Sequence, residues 1–477
     1  MTENGNDTTL VVDLDGTLVR TDTLLESFLD YIHRSPFGIF KVPGWLGSGK
    51  AHLKSELAQR SSINYSALPY NPDVLKLINE AKEDGRHVVL ASACDQRIAS
   101  GVSQHLNVFD DVIASDGTHN LSASNKKTEL VNRYGEGKFD YAGNSSDDLV
   151  VWQAARSAIV VDAPKRVAAK ARKHGNVIAE YNSPGNLLQS LFSAFRPHQW
   201  AKNVLLFVPM LAAHAFDASS LVSTLIAFCC FCMMASGTYL VNDLLDIQDD
   251  RIHTSKKNRP FAAGSLGAGS GILWSMALVT ASLALALALL PPLFLAALIS
   301  YLVITLSYSL MLKSIAALDV ITLTVLYTLR IVAGSLALAL EPTFWILTFS
   351  LFIFLSLALV KRYAELRDAR EKGLTDRSAG RGYYPSDLEI VASMGSANGF
   401  MSILFFALYI QDTDTVALYG TPEILWLICP ILMFWIARLW LVTHRGEMHD
   451  DPVVYAIKDK TSLVTLLLVS TIFLVAL

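Results

Sequence analysis

Asn242-Asp243-Leu244-Leu245-Asp246-Ile247-Gln248-Asp249-Asp250 ends a long apolar run, and its reading decides the architecture of the chain. On a helix, Asp243, Asp246 and Asp250 stand at i, i+3 and i+7, within about 60° of one another at roughly 100° per residue, while Asp249 points elsewhere. Three carboxylates on one face repel each other unless something positive lies between them. Mg²⁺ takes oxygen ligands and commonly bridges such carboxylates to substrate phosphates. Carboxylates at membrane depth point to function rather than to a solvated helix end.

Outward from this stretch the chain is a series of apolar runs from about residue 203 to its last residue. Nine spans are expected, near 203–216, 219–242, 270–290, 292–310, 318–340, 343–360, 391–410, 422–442 and 461–477. The first is short. The loops after the first, third, fifth and seventh spans carry no Lys or Arg, whereas the segments on the other side carry 18. Among these are Arg196 and Lys202, then Arg251, Lys256, Lys257 and Arg259, then Lys313, and Arg445 near the end. The positive-inside rule places that side in the cytoplasm. Arg330 falls in the middle of a span, where an unpaired guanidinium is costly, so it is expected to serve function or to bear a partner.

The first 185 residues hold 20 of the 39 Lys and Arg and read as a soluble domain. The start of the chain lacks a basic segment followed by an apolar core, so no signal peptide is expected and this domain stays in the cytosol. Strand and helix patterns alternate: strand Leu10–Asp13, helices Leu24–His33 and Asp73–Asp84, strand His87–Ala91, helix Lys127–Tyr134, strand Phe139–Ala142, helix Asp147–Ala158 and strand Ala158–Val161. Alternation of this kind implies a parallel sheet flanked by helices. Asn182–Gly185, with Pro184, marks a hinge. The expected domains are therefore 1–185 and 186–477.

The first strand runs into Asp13-Leu14-Asp15-Gly16-Thr17-Leu18. Carboxylates two residues apart at a strand's C-terminal end both reach the crevice where such folds bind ligands. Asp13 has the position of a nucleophile and Asp15 that of its general acid and base. Ser92, Lys126 or Lys127, and Asp147 or Asp148 are candidates for phosphate binding, charge neutralisation and a Mg²⁺ site. Four of the five cysteines lie in apolar runs and none has metal-ligand spacing with a histidine, so they read as reduced structural thiols. A net charge of −4 gives no sign of nucleic-acid binding.

The membrane half resembles the UbiA superfamily of intramembrane prenyltransferases. Its nine helices and its Asn-Asp-x-x-Asp-x-x-x-Asp motif are matched by Asn242, Asp243, Asp246 and Asp250, and the resemblance implies that these four hold Mg²⁺. The second Asp-rich motif of the aromatic prenyltransferases is missing. In its place stand Tyr308-Ser309-Leu310-Met311-Leu312-Lys313 and Asp319. With Arg196-Pro197-His198-Gln199-Trp200-Ala201-Lys202-Asn203 and the Arg445–Pro452 segment, this is similar to the decaprenyl-phosphate phosphoribosyltransferase branch. Asp243, Asp246, Tyr308 and Lys313 are thereby candidates for catalysis, and Lys202, Asn242, Lys257, Arg259, Asp319, Arg330 and Arg445 for substrate binding.

Residues 8–180 resemble the haloacid dehalogenase-like phosphatases. Here Lys127 fits the helix start slightly better than Lys126, and Asp148 supplies a metal-binding carboxylate beside Asp13 and Asp15. The family's Gly-Asp is replaced by Gly143-Asn144. The expected fold is thus a Rossmann-like α/β haloacid dehalogenase domain with a small helical cap, followed by an all-α bundle of nine transmembrane helices.

The implied function is Mg²⁺-dependent transfer from phosphoribosyl pyrophosphate to polyprenyl phosphate at the cell inner membrane, as for a cell-wall precursor. The fused domain would then remove the 5-phosphate. Lys313 and Arg330 would hold the lipid phosphate or the ribose 5-phosphate. The alternatives are transfer of an isoprenoid chain from a prenyl diphosphate to a small acceptor, and a lipid-binding or transport protein without catalysis. The oligomeric state is left open, a homo-oligomer included.

Overall fold

The computed structural model describes residues 8–182, 186–376, 381–448 and 451–477. The hinge residues 183–185, Arg377 of the expected cytoplasmic cations, and His449 and Asp450 of the last motif lie outside them. The chain divides into two compact units. One comprises Met1–Phe195 with Leu240–Trp274, the other Arg196–Tyr239 with Ser275–Leu477. The expected boundary at 185 and 186 does not foresee that residues 240–274 belong with the first unit.

In the first unit, β1 (Thr9–Val12), β2 (Val88–Asp95), β3 (Asp111–Ser115), β4 (Phe139–Gly143), β5 (Ser157–Val161) and β6 (Val177–Tyr181) form one sheet in the order β3-β2-β1-β4-β5-β6. Every pairing is parallel. Strands buried on both faces need apolar residues at successive positions, and Thr-Leu-Val-Val of β1 is buried throughout. Leu10 and Val12 enter one core and Val11 the other, following the two-residue period of a strand. Consecutive strands diverge on either side of β1, which makes the crevice beyond its C-terminal end the natural ligand site. A parallel sheet flanked by helices is the architecture expected, and the helices Val42–Gly47 and Lys50–Arg60 fall between β1 and β2, where the small helical cap is expected.

Two expectations change here. The helix expected over Asp147–Ala158 is only a 3₁₀ turn, Ser146–Asp148, and one helical turn, Leu149–Trp152. The Trp152 Nε1 donates to the Tyr141 carbonyl at 3.1 Å and pins the turn to the sheet, and the chain then straightens into β5. The strands β3 and β6 have no counterpart in the expected pattern. They sit at the two edges of the sheet and are less apolar than the central strands.

Among the described residues, seven helices are long and apolar enough to cross a membrane: Ala218–Leu245, Ala268–Leu289, Pro292–Leu310, Leu318–Ala337, Phe344–Glu371, Pro385–Gln411 and Pro422–Arg445. Pro452–Lys458 and Lys460–Ala476, bent by 81° at their break, make an eighth if they count as one span. The nine expected spans are therefore corrected to seven or eight among the described residues. The first expected span fails as a crossing helix because its chain is a 3₁₀ helix, Pro197–Phe207, followed by five residues of α-helix, Val208–Ala212. Tight 3₁₀ turns are poor at sustaining long helices, and Pro209 removes one donor more. Within the second unit this 3₁₀ segment packs closely on helix Leu318–Ala337. A Cβ on Gly334 would stand 2.3 Å from the Leu206 carbonyl oxygen, so only glycine permits the approach.

Candidate functional sites

β1 delivers Asp13 to the crevice, where its amide donates to the Ala142 carbonyl at 3.0 Å. The turn that follows needs Gly16 at φ +75, and Asn144 of the β4 loop lies directly over it: a Cβ on Gly16 would meet Asn144 Nδ2 at 1.9 Å. Lys126 Nζ donates to Asp13 Oδ1 at 2.7 Å and to the Tyr141 hydroxyl at 2.8 Å. That hydroxyl donates in turn to Asp148 Oδ1 at 2.7 Å. Asp15 Oδ1 accepts from the Thr23 amide at 2.8 Å. Ser92 is fully buried at the end of the apolar part of β2, and its Oγ accepts from the Cys94 amide at 3.1 Å.

Lys126, rather than the expected Lys127, is the lysine that reaches Asp13. Helix Ala123–Tyr134 begins three residues before Lys126, so Lys126 and Leu130 share its inward face and Lys127 turns away. Asp148 is buried and Asp147 is exposed. The Asp148 carboxylate, expected as a metal ligand, has both oxygens engaged within the protein. Its Oδ2 accepts from the amides of Asn144 at 3.0 Å and Ser145 at 2.9 Å, and from Ser145 Oγ at 2.9 Å. With Oδ1 held by Tyr141, Asp148 is committed to positioning Tyr141 and Lys126.

Burial raises the Asp13 carboxyl to about 6, against the opposing pull of Lys126. Burial, with Asp22 and Asp13 nearby, raises Asp15 to about 7. One lysine does not neutralise this pocket, and a divalent cation bound to the oxygens of Asp13 and Asp15 fits the excess of negative charge. Lys54 of the cap, which has no sequence signal, reaches the same region. Its Nζ donates to the Ala93 carbonyl at 2.5 Å and to Asn120 Oδ1 at 2.7 Å, and burial lowers its pKa.

The Asp-rich stretch is also in the first unit. Helix Ala218–Leu245 is followed by a break at Asp246 and a short helix, Ile247–Ile252. The ladder nevertheless continues through Asp246 N to Asn242 O at 3.0 Å and Asp250 N to Asp246 O at 2.8 Å. Asp243 and Asp250 are buried, whereas Asp249 is exposed, as the helical phase requires. Arg259 joins the two: its Nη1 donates to Asp243 Oδ1 at 3.2 Å and to Asp250 Oδ2 at 2.6 Å. Asp246 Oδ2 accepts instead from Asn242 Nδ2 at 3.1 Å. Lys257 is exposed. Among the described residues, no three His, Cys, Asp or Glu side chains are gathered as a metal-binding group. The donor set here is nonetheless of the kind that Mg²⁺ takes, and the positive charge needed between Asp243 and Asp250 is supplied by a guanidinium.

In the second unit, Lys202 Nζ donates to Asp451 Oδ2 at 2.9 Å, and Lys361 stands 3.4 Å from the same oxygen. The Tyr327 hydroxyl donates to Asp451 Oδ1 at 3.3 Å. These residues line a small cavity of about 40 Å³ with Leu323, Leu357 and Pro452. Arg330 bears partners, as expected of a mid-span cation. It donates to Asn203 Oδ1 at 2.9 Å, to the Leu326 carbonyl at 2.5 Å and to the Tyr301 hydroxyl at 3.1 Å.

Four further candidates stand apart from this cluster. Asp319, expected to bind substrate, is fully buried in an ion pair with Arg362 at 2.7 Å and accepts from the Tyr383 hydroxyl at 2.8 Å, so its carboxylate is a packing element. Tyr308 accepts from Arg381 Nη1 at 2.7 Å, and Lys313 lies in the 3₁₀ turn Leu312–Ser314. Arg445 is exposed in the last turn of helix Ile428–Arg445, where a cation complements the helix C-terminus.

The UbiA prenyltransferase family matches residues 204–464. A Sinorhizobium fredii protein, uncharacterized protein y4nM, is 37% identical and covers 98% of this chain and 90% of its own length. Nodulation protein NoeC of Azorhizobium caulinodans is 36% identical over 57% of this chain and 89% of its own. The decaprenyl-phosphate phosphoribosyltransferase of Corynebacterium glutamicum is 34% identical over 49% of this chain and 72% of its own.

Proposed function

Because the chain belongs to the UbiA prenyltransferase family, we propose that it activates a diphosphate donor at Asn242–Asp250 and that this donor is phosphoribosyl pyrophosphate, with polyprenyl phosphate as acceptor. The observation that carries the reading is the buried pair Asp243 and Asp250 gathered around Arg259, an anion-and-cation arrangement suited to a metal-bound diphosphate. Similarity to a decaprenyl-phosphate phosphoribosyltransferase supports the choice of donor and acceptor. Asp243, Asp246 and Asp250 would hold Mg²⁺, which supplies charge neutralisation for the leaving diphosphate. Arg259 adds a fixed positive charge beside it. The C1–O bond to diphosphate breaks with its electron pair on the diphosphate, and an oxygen of the lipid phosphate forms the new bond to C1. The product is polyprenyl-phosphoryl-5-phosphoribose, at a multi-pass protein of the inner membrane with its α/β domain in the cytoplasm.

The α/β domain then removes the 5-phosphate. Asp13 attacks phosphorus, Asp15 protonates the departing ribose oxygen, and the same Asp15 takes a proton from the water that releases phosphate from Asp13. Lys126, braced by Tyr141 and Asp148, holds Asp13 in place and offsets the charge of the transferred group. Tethering keeps product near this second site. The test follows labelled donor and lipid phosphate through Asp13→Asn protein. The phosphorylated lipid sugar accumulates relative to wild type; equal amounts in both would refute the second step. The family's prenyl chemistry favours a second reading, transfer of an isoprenoid chain, which predicts turnover of a prenyl diphosphate with phosphoribosyl pyrophosphate inert.

A further inference from the structure

The first unit contains a set of contacts that neither chemistry uses. Arg251, one residue beyond Asp250, donates from Nη1 to Glu26 Oε2 at 2.9 Å and from Nη2 to Glu26 Oε1 at 2.5 Å. The two side chains are 4% and 0% exposed. Glu26 Oε1 also accepts from Thr21 Oγ1 at 2.5 Å. The Arg251 Nε donates to the Ala262 carbonyl at 3.2 Å, so one guanidinium ties both arms of the 251–262 loop to helix Thr23–Arg34. The loop is seated at other points too. The Asn64 amide donates to Gln248 Oε1 at 3.1 Å, and a Cβ on Gly264 would stand 2.7 Å from Arg20 Cβ. His33 Nε2 lies 4.0 Å from Asp246 Oδ1.

This loop carries Arg259. The Arg259 amide donates to the Lys256 carbonyl and its own carbonyl accepts from the Ala263 amide, both at 2.9 Å, so fixing Ala262 fixes the backbone from which Arg259 reaches Asp243 and Asp250. A planar guanidinium paired at both nitrogens with a carboxylate sets direction as well as distance. Buried as it is, the pair cannot be half removed without leaving an uncompensated charge.

We propose that Glu26 is a positioning residue for the Asp-rich segment: through Arg251 it sets the loop that brings Arg259 to Asp243 and Asp250, so the α/β domain serves the diphosphate site independently of Asp13. The proposal rests on the reading of Asn242–Asp250 as that site.

The test uses full-length protein in lipid nanodiscs, wild type against Glu26→Gln and Glu26→Asp, with two readouts. Hydrogen exchange is followed over residues 247–264, and the donor KM and half-saturating Mg²⁺ are measured with phosphoribosyl pyrophosphate, separately from kcat. In Glu26→Gln, exchange over 247–264 rises about tenfold while β1–β6 keep their protection, and both KM and half-saturating Mg²⁺ rise about fivefold or more. Glu26→Asp, which keeps the charge, falls between. Unchanged exchange over 247–264 in folded Glu26→Gln overturns the proposal, and so does faster exchange with KM and Mg²⁺ dependence unmoved. Should Glu26→Gln lose the protection of the strands, Glu26→Asp decides by the same two readouts. If wild-type protein turns over no diphosphate donor, the reading of the site fails, while the exchange data alone still decide whether Glu26 holds the segment.

Discussion

At the end of β1, Asp13 pairs with a buried cation, Lys126, delivered by a helix packed on the sheet. At the end of helix Ala218–Leu245, Asp243 and Asp250 share Arg259, delivered by a loop. The first cation is braced by Tyr141 and Asp148, so its place is set by the core of the sheet. The second depends on where residues 251–262 are held. Two acidic sites in one chain can therefore differ in how robustly their positive charge is placed. The cation of the sheet site is held by groups on the sheet and its flanking loop, and that of the loop-fed site depends on its loop.

The sharpest break in this comparison comes from removing the nucleophile. Asp13→Asn is expected to lower phosphate release from a phosphorylated sugar by on the order of 10⁴-fold or more, measured as single-turnover phosphate release. In the second unit, Asp319→Asn leaves buried Arg362 with only the half-exposed carboxylate of Glu365 and is expected to cost about 3 kcal/mol of stability, read as a lower thermal midpoint in detergent. Asp243→Asn is expected to lower donor turnover by about 10²–10³-fold, with diphosphate release as the assay. Lys126→Met should reduce phosphatase turnover by about 10²-fold while Lys127→Met changes it little, which separates the two lysines directly. Arg445→Ala, on an exposed helix end, should shift stability by less than about 0.5 kcal/mol and leave donor KM within a factor of two of wild type.

The same contrast explains what was legible in the sequence. The central strands declare themselves because a doubly covered parallel strand must be apolar at every position, and Asp13, Asp15 and Gly16 follow one of them at fixed spacing. The edge strands β3 and β6 carry mixed residues and leave no such trace. Helical phase was enough to separate Asp243 and Asp250, both buried, from exposed Asp249. It could not tell that Arg259, one of several loop cations, bridges them, nor that Arg251 turns to Glu26, more than 200 residues earlier. Lys126 and Lys127 differ only in helical phase, which hangs on a helix start three residues before Lys126. Asp319 entered through the resemblance alone, and its ion pair with Arg362, distant in sequence, left no signal there. The first apolar run has the composition of a span but the backbone of a 3₁₀ helix, a difference that hydropathy does not register.

The central claim is that the Asp-rich helix end activates a sugar diphosphate. Purified full-length protein with Mg²⁺ and polyprenyl phosphate, offered phosphoribosyl pyrophosphate and prenyl diphosphates in parallel, tests it most directly. The account predicts diphosphate release and a lipid-linked phosphoribose from phosphoribosyl pyrophosphate, both lost in Asp243→Asn. Turnover of a prenyl diphosphate with phosphoribosyl pyrophosphate inert would contradict it.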